Sequence, residues 1–451
     1  MIIEQFKDEF LAHYSYAIVS ECEQKIVLID PARNPEPYYE FAKKFDAQII
    51  GVIETHPHAD FVSSHLEIHE TTGAKIYAHS LTGVAYPVHH FDDGATLSLG
   101  KIKLTSIHTP GHSPDSISVV LEHDGQTKAV FTGDTLFIGD CGRPDLRESA
   151  GNLQAKREKL ALQMYHSLRD KLMVLDDEVL VYPAHGAGTL CGKALSTADS
   201  STIGAEKISN WSLQEMSEAD FMKELTTDQP FIPKYFGYSV DLNRKGAPHF
   251  KPNVDVVEVI EQPELEEINA AIIVVDARPE ADFKEGHYPG AVNIVYGKKF
   301  ETWLGSIIRP GEHFYLTAAN PHQLEELIHR TASIGYEAFI VAAFVTHSGD
   351  VLMPVLPLEC FIANPEEFTI IDVRNEQEVK NKKIFENSVN IPLGELRERI
   401  LEVPADKPIV VHCAGGSRSA AGSSIIAAEF GAITPVYDLG TVVKDFAKPL
   451  D

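Results

Sequence analysis

The first 250 residues contain apolar, strand-like runs that stop at residues able to bind a metal ion. Four runs end this way: IIGVIET is followed by His56, KLTSIHTPG by His112, KAVFTG by Asp134 and EVLVYPA by His185. Because the ends of neighbouring strands meet at one rim of a sheet, these side chains can converge in space. The pattern predicts an α/β domain with a metal centre at the rim of its sheet, and a helix-like stretch over 151–172.

The last two hundred residues repeat a second pattern. DARPE and AVNIVYG, within 276–297, are echoed by DVRNE and SVNIPLG, within 372–394, at an offset of 372 − 276 = 96 residues. A repeat of this length predicts two similar domains in tandem rather than a solenoid. In each repeat a β-branched run ends in Asp and is followed by further strand and helix patterns, which favours α/β domains with parallel sheets.

Length and proline positions divide the chain. At roughly 100 to 200 residues per domain, 451 residues predict about three domains. Linkers are indicated by Pro248, Pro252, Pro354 and Pro357. We therefore predict domains at 1–250, 251–353 and 354–451.

Composition and charge restrict the partners. The 39 Lys and Arg against 66 Asp and Glu give a net charge of −27, which argues against nucleic acid and anionic membranes as partners. Five scattered cysteines do not form a disulfide framework and favour a reducing cytoplasm. The acidic amino terminus does not resemble a signal peptide, and no apolar run approaches the roughly 18 residues of a membrane span. We expect a cytoplasmic protein.

The segment THPHAD strengthens the metal prediction. It places His56, His58 and Asp60 within five residues. Imidazole and carboxylate together suit zinc, iron or manganese, whereas calcium and magnesium prefer oxygen ligands alone. Most of the 20 histidines are expected to have surface or core roles, such as His89 and His90, which are predicted to lie in a loop beside two acidic residues.

The four strand-end motifs THPHAD, TPGH, TGD and PAHG resemble those of the metallo-β-lactamase superfamily over residues 1–250. That resemblance implies an αββα sandwich. Hydrolytic members of glyoxalase II type read HxHxDH, and the last histidine helps to hold a second ion. Here this position is Phe61, and a phenyl ring cannot coordinate a metal, so a single ion is expected.

A single ion held by His56, His112 and Asp134 would have the two-histidine, one-carboxylate set of non-haem Fe(II) oxygenases, with open positions for substrate and dioxygen. The persulfide dioxygenase branch of the superfamily is similar in this respect. The resemblance implies one Fe(II), with zinc as the alternative metal. It also makes three further residues outer groups that orient ligands or water: His58, Asp60 and His185.

The same branch carries a CGR-D turn, matched here by Cys141, Gly142, Arg143 and Asp145, and the similarity extends to GTLCGKALS at 188–196. Arg143 is expected to hold an anionic substrate or to support the metal loop by pairing with Asp145; a solvated loop charge is the alternative. Cys141 has no base near it in sequence and is interpreted as a small apolar filler.

The segment HCAGGSRS at 412–419 follows an apolar strand and opens a helix. The amides of the Gly-rich turn and the helix amino terminus favour a thiolate at Cys413, and Arg418 adds a fixed cation. The segment resembles the active loop of rhodanese sulfurtransferases, in which Cys413 would accept the outer sulfur of a persulfide. Substrate binding is then expected at Gly415, Gly416, Ser417 and Ser419. Related phosphatases enclose five residues between Cys and Arg, but this loop encloses four, which favours sulfur transfer.

The first repeat differs at this loop. It keeps the rhodanese signature as GHYPGAVN at 286–293, but YLTAANPHQ at 315–323 contains neither Cys nor Arg. Thr317 or Ala318 lies opposite Cys413, so this domain is interpreted as a spacer, docking surface or interface. The second repeat departs from the signature instead, reading FENSVN at 385–390.

The whole chain resembles bacterial fusions of a persulfide dioxygenase with two rhodanese domains. The resemblance implies oxidation of a small persulfide with O2 to sulfite, and sulfur transfer to sulfite by Cys413 to give thiosulfate, for sulfide detoxification. Two alternatives stay open. The metal domain could be a zinc thioester hydrolase of glyoxalase II type with a noncatalytic tail. Alternatively, the rhodanese part could be a protein-binding or sulfur-relay module that serves a partner, with the metal domain vestigial. The identity of the thiol is open, and a homo-oligomer is compatible with the sequence.

Overall fold

The computed structural model describes residues 1–148, 156–193 and 195–447. Residues 151–155 of the predicted helical stretch and residue 194 of the GTLCGKALS segment lie outside the described residues. The chain divides into two compact units. One comprises Met1–Asn253 with Ala332–Gly335, and the other comprises Val254–Thr331 with the residues from Tyr336 onward.

The first unit contains two six-stranded sheets. The first sheet has the order β1-β2-β3-β4-β5-β6 and consists of β1 (Ile2–Asp8), β2 (His13–Ser20), β3 (Lys25–Ile29), β4 (Gln48–Ile53), β5 (Lys75–Ala78) and β6 (His89–His90). Strands β1 to β3 pair antiparallel, whereas β3 to β6 pair parallel. His89 and His90 form the edge strand β6 rather than the predicted loop, because they pair with the end of β5, but both are exposed, which agrees with a surface role.

The second sheet has the order β12-β11-β10-β9-β8-β7. Its strands are β7 (Thr96–Leu99), β8 (Ile102–His108), β9 (Ile117–His123), β10 (Gln126–Gly133), β11 (Leu180–Pro183) and β12 (Ser201–Thr202). All neighbours pair antiparallel except β10 and β11, which are parallel. The carboxyl ends of β10 and β11 therefore lie at the same edge of the sheet.

The helices of this unit are α1 (Glu36–Lys44), α2 (His65–Thr72), α3 (Arg157–His166), α4 (Ile203–Ser209), α5 (Glu218–Thr226), α6 (Tyr235–Lys245) and α7 (Phe250–Asp255), the last crossing into the second unit. A turn of π-helix, Ser167–Leu172, continues α3, so the described part of the 151–172 prediction is helical.

Residues within one strand alternate between two cores. Tyr16 and Ile18 of β2 pack between the two sheets with Leu104, Val119 and Phe131. Their neighbours Ala17 and Val19 pack on the other side, against α1 and α2. The second sheet is covered in the same way by α3 and α5. Because both faces of each sheet are covered, a central strand such as β3 (KIVLI) is a nearly continuous apolar run, and the predicted αββα sandwich is confirmed.

The second unit contains two four-stranded parallel sheets. One has the order β14-β13-β15-β16, with β13 (Ile273–Asp276), β14 (Val292–Asn293), β15 (Phe314–Ala318) and β16 (Ile340–Val345). The other has the order β18-β17-β19-β20, with β17 (Thr369–Asp372), β18 (Val389–Asn390), β19 (Ile409–His412) and β20 (Val436–Asp438). The identical strand order confirms the predicted tandem repeat with parallel sheets.

The helices of the second unit are α8 (Glu280–Glu285), α9 (Phe300–Ile307), α10 (Pro321–Ser333), α11 (Leu358–Ala363), α12 (Glu376–Asn381), α13 (Ser417–Phe430) and α14 (Val443–Phe446). Among the described residues, no helix combines the length and the apolar character needed to cross a membrane.

A buried polar frame explains the sequence echo between the repeats. In the first, Arg278 Nη2 donates to Asp276 at 2.6 Å, and Asn293 Nδ2 donates to the carbonyls of Asp276 and Arg278 at 2.9 Å. In the second, Arg374 Nη2 donates to Asp372 at 2.6 Å, and Asn390 Nδ2 donates to the carbonyls of Asp372 and Arg374 at 2.8 Å. The frame pairs each first strand with the next short strand. The departure at FENSVN does not disturb it.

Candidate metal centre and sulfur-transfer loop

The residues predicted to bind or surround a metal ion follow four strands whose ends lie at one rim of the first unit. His56 follows β4, His112 follows β8, Asp134 directly follows β10, and His185 follows β11. The carbonyl of Gly133 accepts from the amide of Ala184, which brings the last two strand ends together. The convergence expected from the strand-end pattern is present.

Three of these residues face one another. The Nε2 atoms of His56 and His112 lie 3.9 and 3.4 Å from Oδ2 of Asp134. All three side chains are buried. Two ligand atoms that bind one ion at about 2.1 Å are separated by about 3 Å. The two Nε2 atoms and Oδ2 of Asp134 would therefore need to move little to bind a common ion. Oδ2 of Asp134 is buried without a hydrogen-bond partner among the described residues, as expected of an atom reserved for a metal ion.

The protonation states suit metal binding. Burial lowers the pKa of both His56 and His112, which leaves their lone pairs available at neutral pH. Burial opposes the charge of Asp134, but the neighbouring His185 and His112 imidazoles hold its pKa well below the usual range. Two neutral imidazoles and one carboxylate are the ligand forms that a divalent transition metal requires.

The outer nitrogens of both ligand histidines are oriented by neighbours. Nδ1 of His56 lies 3.1 Å from the hydroxyl of Thr55, which itself donates to Asp30 at 2.8 Å. Nδ1 of His112 lies 2.9 Å from the carbonyl of Arg143 and donates to it. Each contact turns Nε2 toward Asp134, as second-layer hydrogen bonds commonly do in metal sites.

His185 links two carboxylates rather than joining the three-residue set. Its Nδ1 lies 2.7 Å from Oδ1 of Asp134, and its Nε2 lies 2.7 Å from Oδ2 of Asp60. Burial disfavours its charge, but the two carboxylates raise its pKa well above the ordinary value. Nδ1 of His185 is hydrogen-bonded to Oδ1 of Asp134, and the other oxygen of Asp134 faces His56 and His112.

His58 also lies beside the set. Its Nε2 is 3.1 Å from Oδ1 of Asp30, and its ring centroid is 4.1 Å from that of His56. The ring of Phe61 packs on those of His58 and His13 at 4.3 and 3.7 Å. Phe61 is buried, so an apolar ring that cannot coordinate a metal ion lies beside the set.

The turn after Asp134 supports the set through its backbone. Arg143 is buried and donates twice to Asp145, at 2.7 Å each, and once to the carbonyl of Leu190 at 3.2 Å. A Cβ atom at Gly142 would lie 1.9 Å from the carbonyl oxygen of Asp134, so only glycine fits. Cys141 packs in the core beneath α3, as an apolar filler would.

Cys191 was not singled out from sequence. Its Sγ atom lies within 4.8 Å of ligand atoms of both Asp60 and His185, and the side chain is buried. Burial and the carboxylates of Asp60 and Asp134 raise the pKa of this thiol. In the sequence, only the similarity of the GTLCGKALS segment could have pointed to Cys191, because this residue lies in a loop and not at a strand end.

The predicted thiol loop of the second unit follows β19. Cys413 is buried, and the amides of Gly415 and Gly416 donate to its Sγ atom at 3.4 and 3.1 Å. Gly416 has φ 110°, which side-chain-bearing residues rarely adopt. Ser419 donates back to the carbonyl of Gly416 at 2.8 Å, whereas Ser417 begins α13 and is exposed.

Arg418 is held by an acidic partner. Its Nη1 and Nη2 atoms donate to the carboxylate of Glu378 at 2.5 and 2.8 Å. Glu378 lies on α12, so the pair connects this helix to the start of α13. Sequence reasoning identified the cation but not its partner.

Strand register identifies the counterpart of Cys413. Asp276 pairs with Thr317, just as Asp372 pairs with His412. The residue after Thr317 is Ala318, so Ala318 occupies the position of Cys413. Helix α10 begins three residues after Ala318, at Pro321, whereas α13 begins four residues after Cys413, at Ser417. The first repeat therefore lacks both the thiol and one residue of the turn.

Known families match both parts of the chain. The metallo-beta-lactamase superfamily matches residues 8–185, and the rhodanese-like domain matches residues 260–341 and 360–443. The structure titled metallo-beta-lactamase from Staphylococcus aureus subsp. aureus COL has a TM-score of 0.68 and 30% identity, over 76% of this chain and 98% of that one.

Two curated relatives differ in their names. Cytoplasmic hydroxyacylglutathione hydrolase of Arabidopsis thaliana is 34% identical over 176 residues, which are 38% of this chain and 63% of that protein. Human mitochondrial persulfide dioxygenase ETHE1 is 27% identical over 187 residues, 41% of this chain and 68% of that protein. The chain thus spans about two thirds of the length of each.

The sandwich and its rim of histidines and carboxylates define a metal-binding domain of metallo-β-lactamase type. The chain belongs to the metallo-beta-lactamase superfamily and carries two rhodanese-like domains after that domain.

Proposed function

We propose that the amino-terminal domain is an Fe(II)-dependent persulfide dioxygenase and that Cys413 transfers sulfur to the sulfite it forms. The observation that carries the proposal is the set of His56, His112 and Asp134, whose ligand atoms face one another, together with the non-coordinating Phe61. Three protein ligands of this kind leave open positions for substrate and dioxygen. The similarity to ETHE1 supports the same activity.

His56, His112 and Asp134 would hold the ion. When bound, a ferrous ion supplies the redox chemistry through which dioxygen reacts with sulfur. The surrounding residues fix its ligands: His185 holds one oxygen of Asp134, and the carbonyl of Arg143 holds His112. Arg143 is engaged by Asp145 and buried, which favours a supporting role over direct substrate binding.

The net oxidation is R–S–SH + O2 + H2O → R–SH + SO3²⁻ + 2 H⁺. The outer sulfur of the persulfide is oxidised and dioxygen is reduced. Phe61 supports this reaction over hydrolysis, because it removes one ligand of the second ion that hydrolytic relatives use.

Sulfur transfer would proceed in two balanced steps. A second persulfide reacts with Cys413, giving R–SH and Cys413–S–SH. Sulfite then attacks the outer sulfur, the S–S bond breaks, and thiosulfate leaves with the thiol restored. The amides of Gly415 and Gly416 lie within hydrogen-bond distance of Sγ and would stabilise negative charge there. The fusion places the reaction that forms sulfite on the same chain as the thiol that uses sulfite as its sulfur acceptor.

A zinc thioester hydrolase is the second candidate function. The 34% identity to hydroxyacylglutathione hydrolase of Arabidopsis favours it. The rhodanese domains would then be a binding or sulfur-relay module. The two candidates differ in metal, in oxygen use and in product.

Metal analysis of anaerobically purified protein, combined with an oxygen electrode and glutathione persulfide as probe, separates these functions. We expect one iron per chain, oxygen uptake and thiosulfate. His112→Ala should lower iron occupancy and oxygen uptake by tenfold or more, because even outer partners of a metal site contribute about 10- to 100-fold. His90→Ala, at an exposed site, is the matched control.

Three results would contradict the proposal. Two zinc ions per chain with S-lactoylglutathione hydrolysis and no oxygen uptake would establish the hydrolase. Full iron occupancy in His112→Ala would remove this residue from the ligand set. Protein with neither metal nor oxygen uptake would favour a binding or relay role.

A further inference from the structure

The Cys-less first repeat contacts the thiol loop of the second repeat from the side of α9. The guanidinium carbon of Arg418 lies 5.7 Å from the ring centroid of Trp303. Glu378 binds the edge of the same guanidinium. Arg418 therefore has an anion at its edge and an aromatic ring within the range of a cation–π contact. The two partners come from different repeats.

A second contact comes from α8. Nζ of Lys284 lies 2.7 Å from Oδ2 of Asp438, whose side chain is fully buried. Oδ1 of Asp438 accepts from the amide of Gly440 at 2.8 Å. A Cβ atom at Gly416 would lie 3.2 Å from the carbonyl carbon of Gly440, so these two backbones are in close contact. Lys284 thus supports the backbone behind the residue whose amide faces the Cys413 sulfur.

The two repeats are held in register by further polar contacts. Arg397 donates to both carboxylate oxygens of Glu312, at 2.9 and 2.6 Å. The backbone N–H of Asn293 donates to the hydroxyl of Ser424 on α13 at 3.0 Å. Asn293 belongs to the buried frame of the first repeat, and α13 is the helix that Cys413 precedes. The contacts from Trp303 and Lys284 are therefore part of a fixed interface.

We propose that the Cys-less repeat positions the thiol loop, with Trp303 and Lys284 as the positioning residues. Trp303 limits the orientations of Arg418, and Lys284 neutralises Asp438 so that Gly440 and Gly416 keep their places. Removing Lys284 would leave a buried carboxylate without its cation, which is unfavourable. The proposal rests on the proposed sulfur transfer at Cys413 but not on the identity of the metal.

Steady-state sulfur transfer by the full chain, with thiosulfate as donor and cyanide as acceptor, tests the proposal. We expect Trp303→Leu to lower kcat/KM roughly three- to tenfold, the size of a partly desolvated cation–π contact. Trp303→Phe should recover most of it, because the ring is kept. Lys284→Met should lower kcat/KM similarly, whereas Lys298→Met, at an exposed lysine of the same repeat, should not.

Alkylation of Cys413 by iodoacetamide and tryptophan fluorescence give readouts that do not require turnover. Trp211 and Trp303 are the only tryptophans, so Trp211→Phe leaves one fluorophore, beside Arg418. Its emission should change when thiosulfate loads Cys413 with sulfur. The alkylation rate should change in Trp303→Leu and in Lys284→Met, but not in Lys298→Met.

Wild-type kinetics and alkylation in Trp303→Leu and Lys284→Met would overturn the proposal. An equal loss in Trp303→Phe and Trp303→Leu, or a loss in Lys298→Met, would also overturn it. If the wild-type chain transferred no sulfur, the proposed function of Cys413 would fail on its own. The alkylation rates would still decide whether the first repeat positions the loop.

Discussion

The two rhodanese-like repeats share their buried frame and differ at the loop that follows the third strand. Asp276, Arg278 and Asn293 make the same hydrogen bonds as Asp372, Arg374 and Asn390, at distances that agree within 0.1 Å. The loop after Ala318 is one residue shorter than the loop after Cys413 and has no glycine. The frame is needed to pair the strands, so both repeats keep it. The loop is needed only for chemistry, so one repeat could lose it.

The comparison also shows what the loop requires besides a thiol. Two amides approach Sγ of Cys413, and the turn that carries them continues through Gly416 with a positive φ that residues with side chains rarely adopt. In the first repeat, Asn320 and Pro321 occupy this part of the turn, and proline has no amide proton to donate. A cysteine alone would not restore the site.

Replacing the thiol should have the largest effect. Cys413→Ser should lower thiosulfate formation by about a hundredfold or more, because the sulfur carrier is removed. Oxygen uptake should stay near wild type, with sulfite as the product. As a control in the other repeat, Ala318→Ser should change neither the rate of thiosulfate formation nor the amount of sulfite released. Thiosulfate formed at the wild-type rate by Cys413→Ser would refute the role of this thiol.

Breaking the shared frame should destabilise both repeats alike. Arg374→Met or Arg278→Met leaves a buried carboxylate unpaired, so each should cost about 3–5 kcal/mol of folding free energy. Chemical denaturation of the second unit within the full chain measures both. A cost confined to Arg374→Met would mean that the frame of the Cys-less repeat is dispensable.

Two glycines of the thiol loop should respond differently. Gly416→Ala forces a side chain into a left-handed backbone and against Gly440, and we expect about 1–3 kcal/mol of destabilisation with slower sulfur transfer. At Gly415 an added Cβ meets no atom within 4 Å, so Gly415→Ala should have little effect on stability. Equal melting temperatures for the two variants would show that the turn tolerates a side chain.

The sequence by itself determined the tandem repeat, the parallel sheets of the two repeats and the residues whose side chains are candidates for metal binding or sulfur transfer. Strand periodicity, the 96-residue echo and the strand-end motifs are local or self-comparing signals, so no tertiary information was needed to select His56, His112, Asp134 and Cys413 as candidates. The choice between Thr317 and Ala318, left open by the sequence, was made by the strand register.

Only the tertiary structure decided which partners these residues have. His185 joins Asp60 to Asp134, Glu378 holds Arg418, and Cys191 enters the metal rim from a loop. His185 lies 51 residues from Asp134 and 185 − 60 = 125 residues from Asp60, and Glu378 lies 40 residues from Arg418, so no spacing rule connects these partners. The packed sheets of the first unit and the fold of the second repeat bring them together, because the apolar cores fix the backbone and the polar side chains then pair with groups within reach.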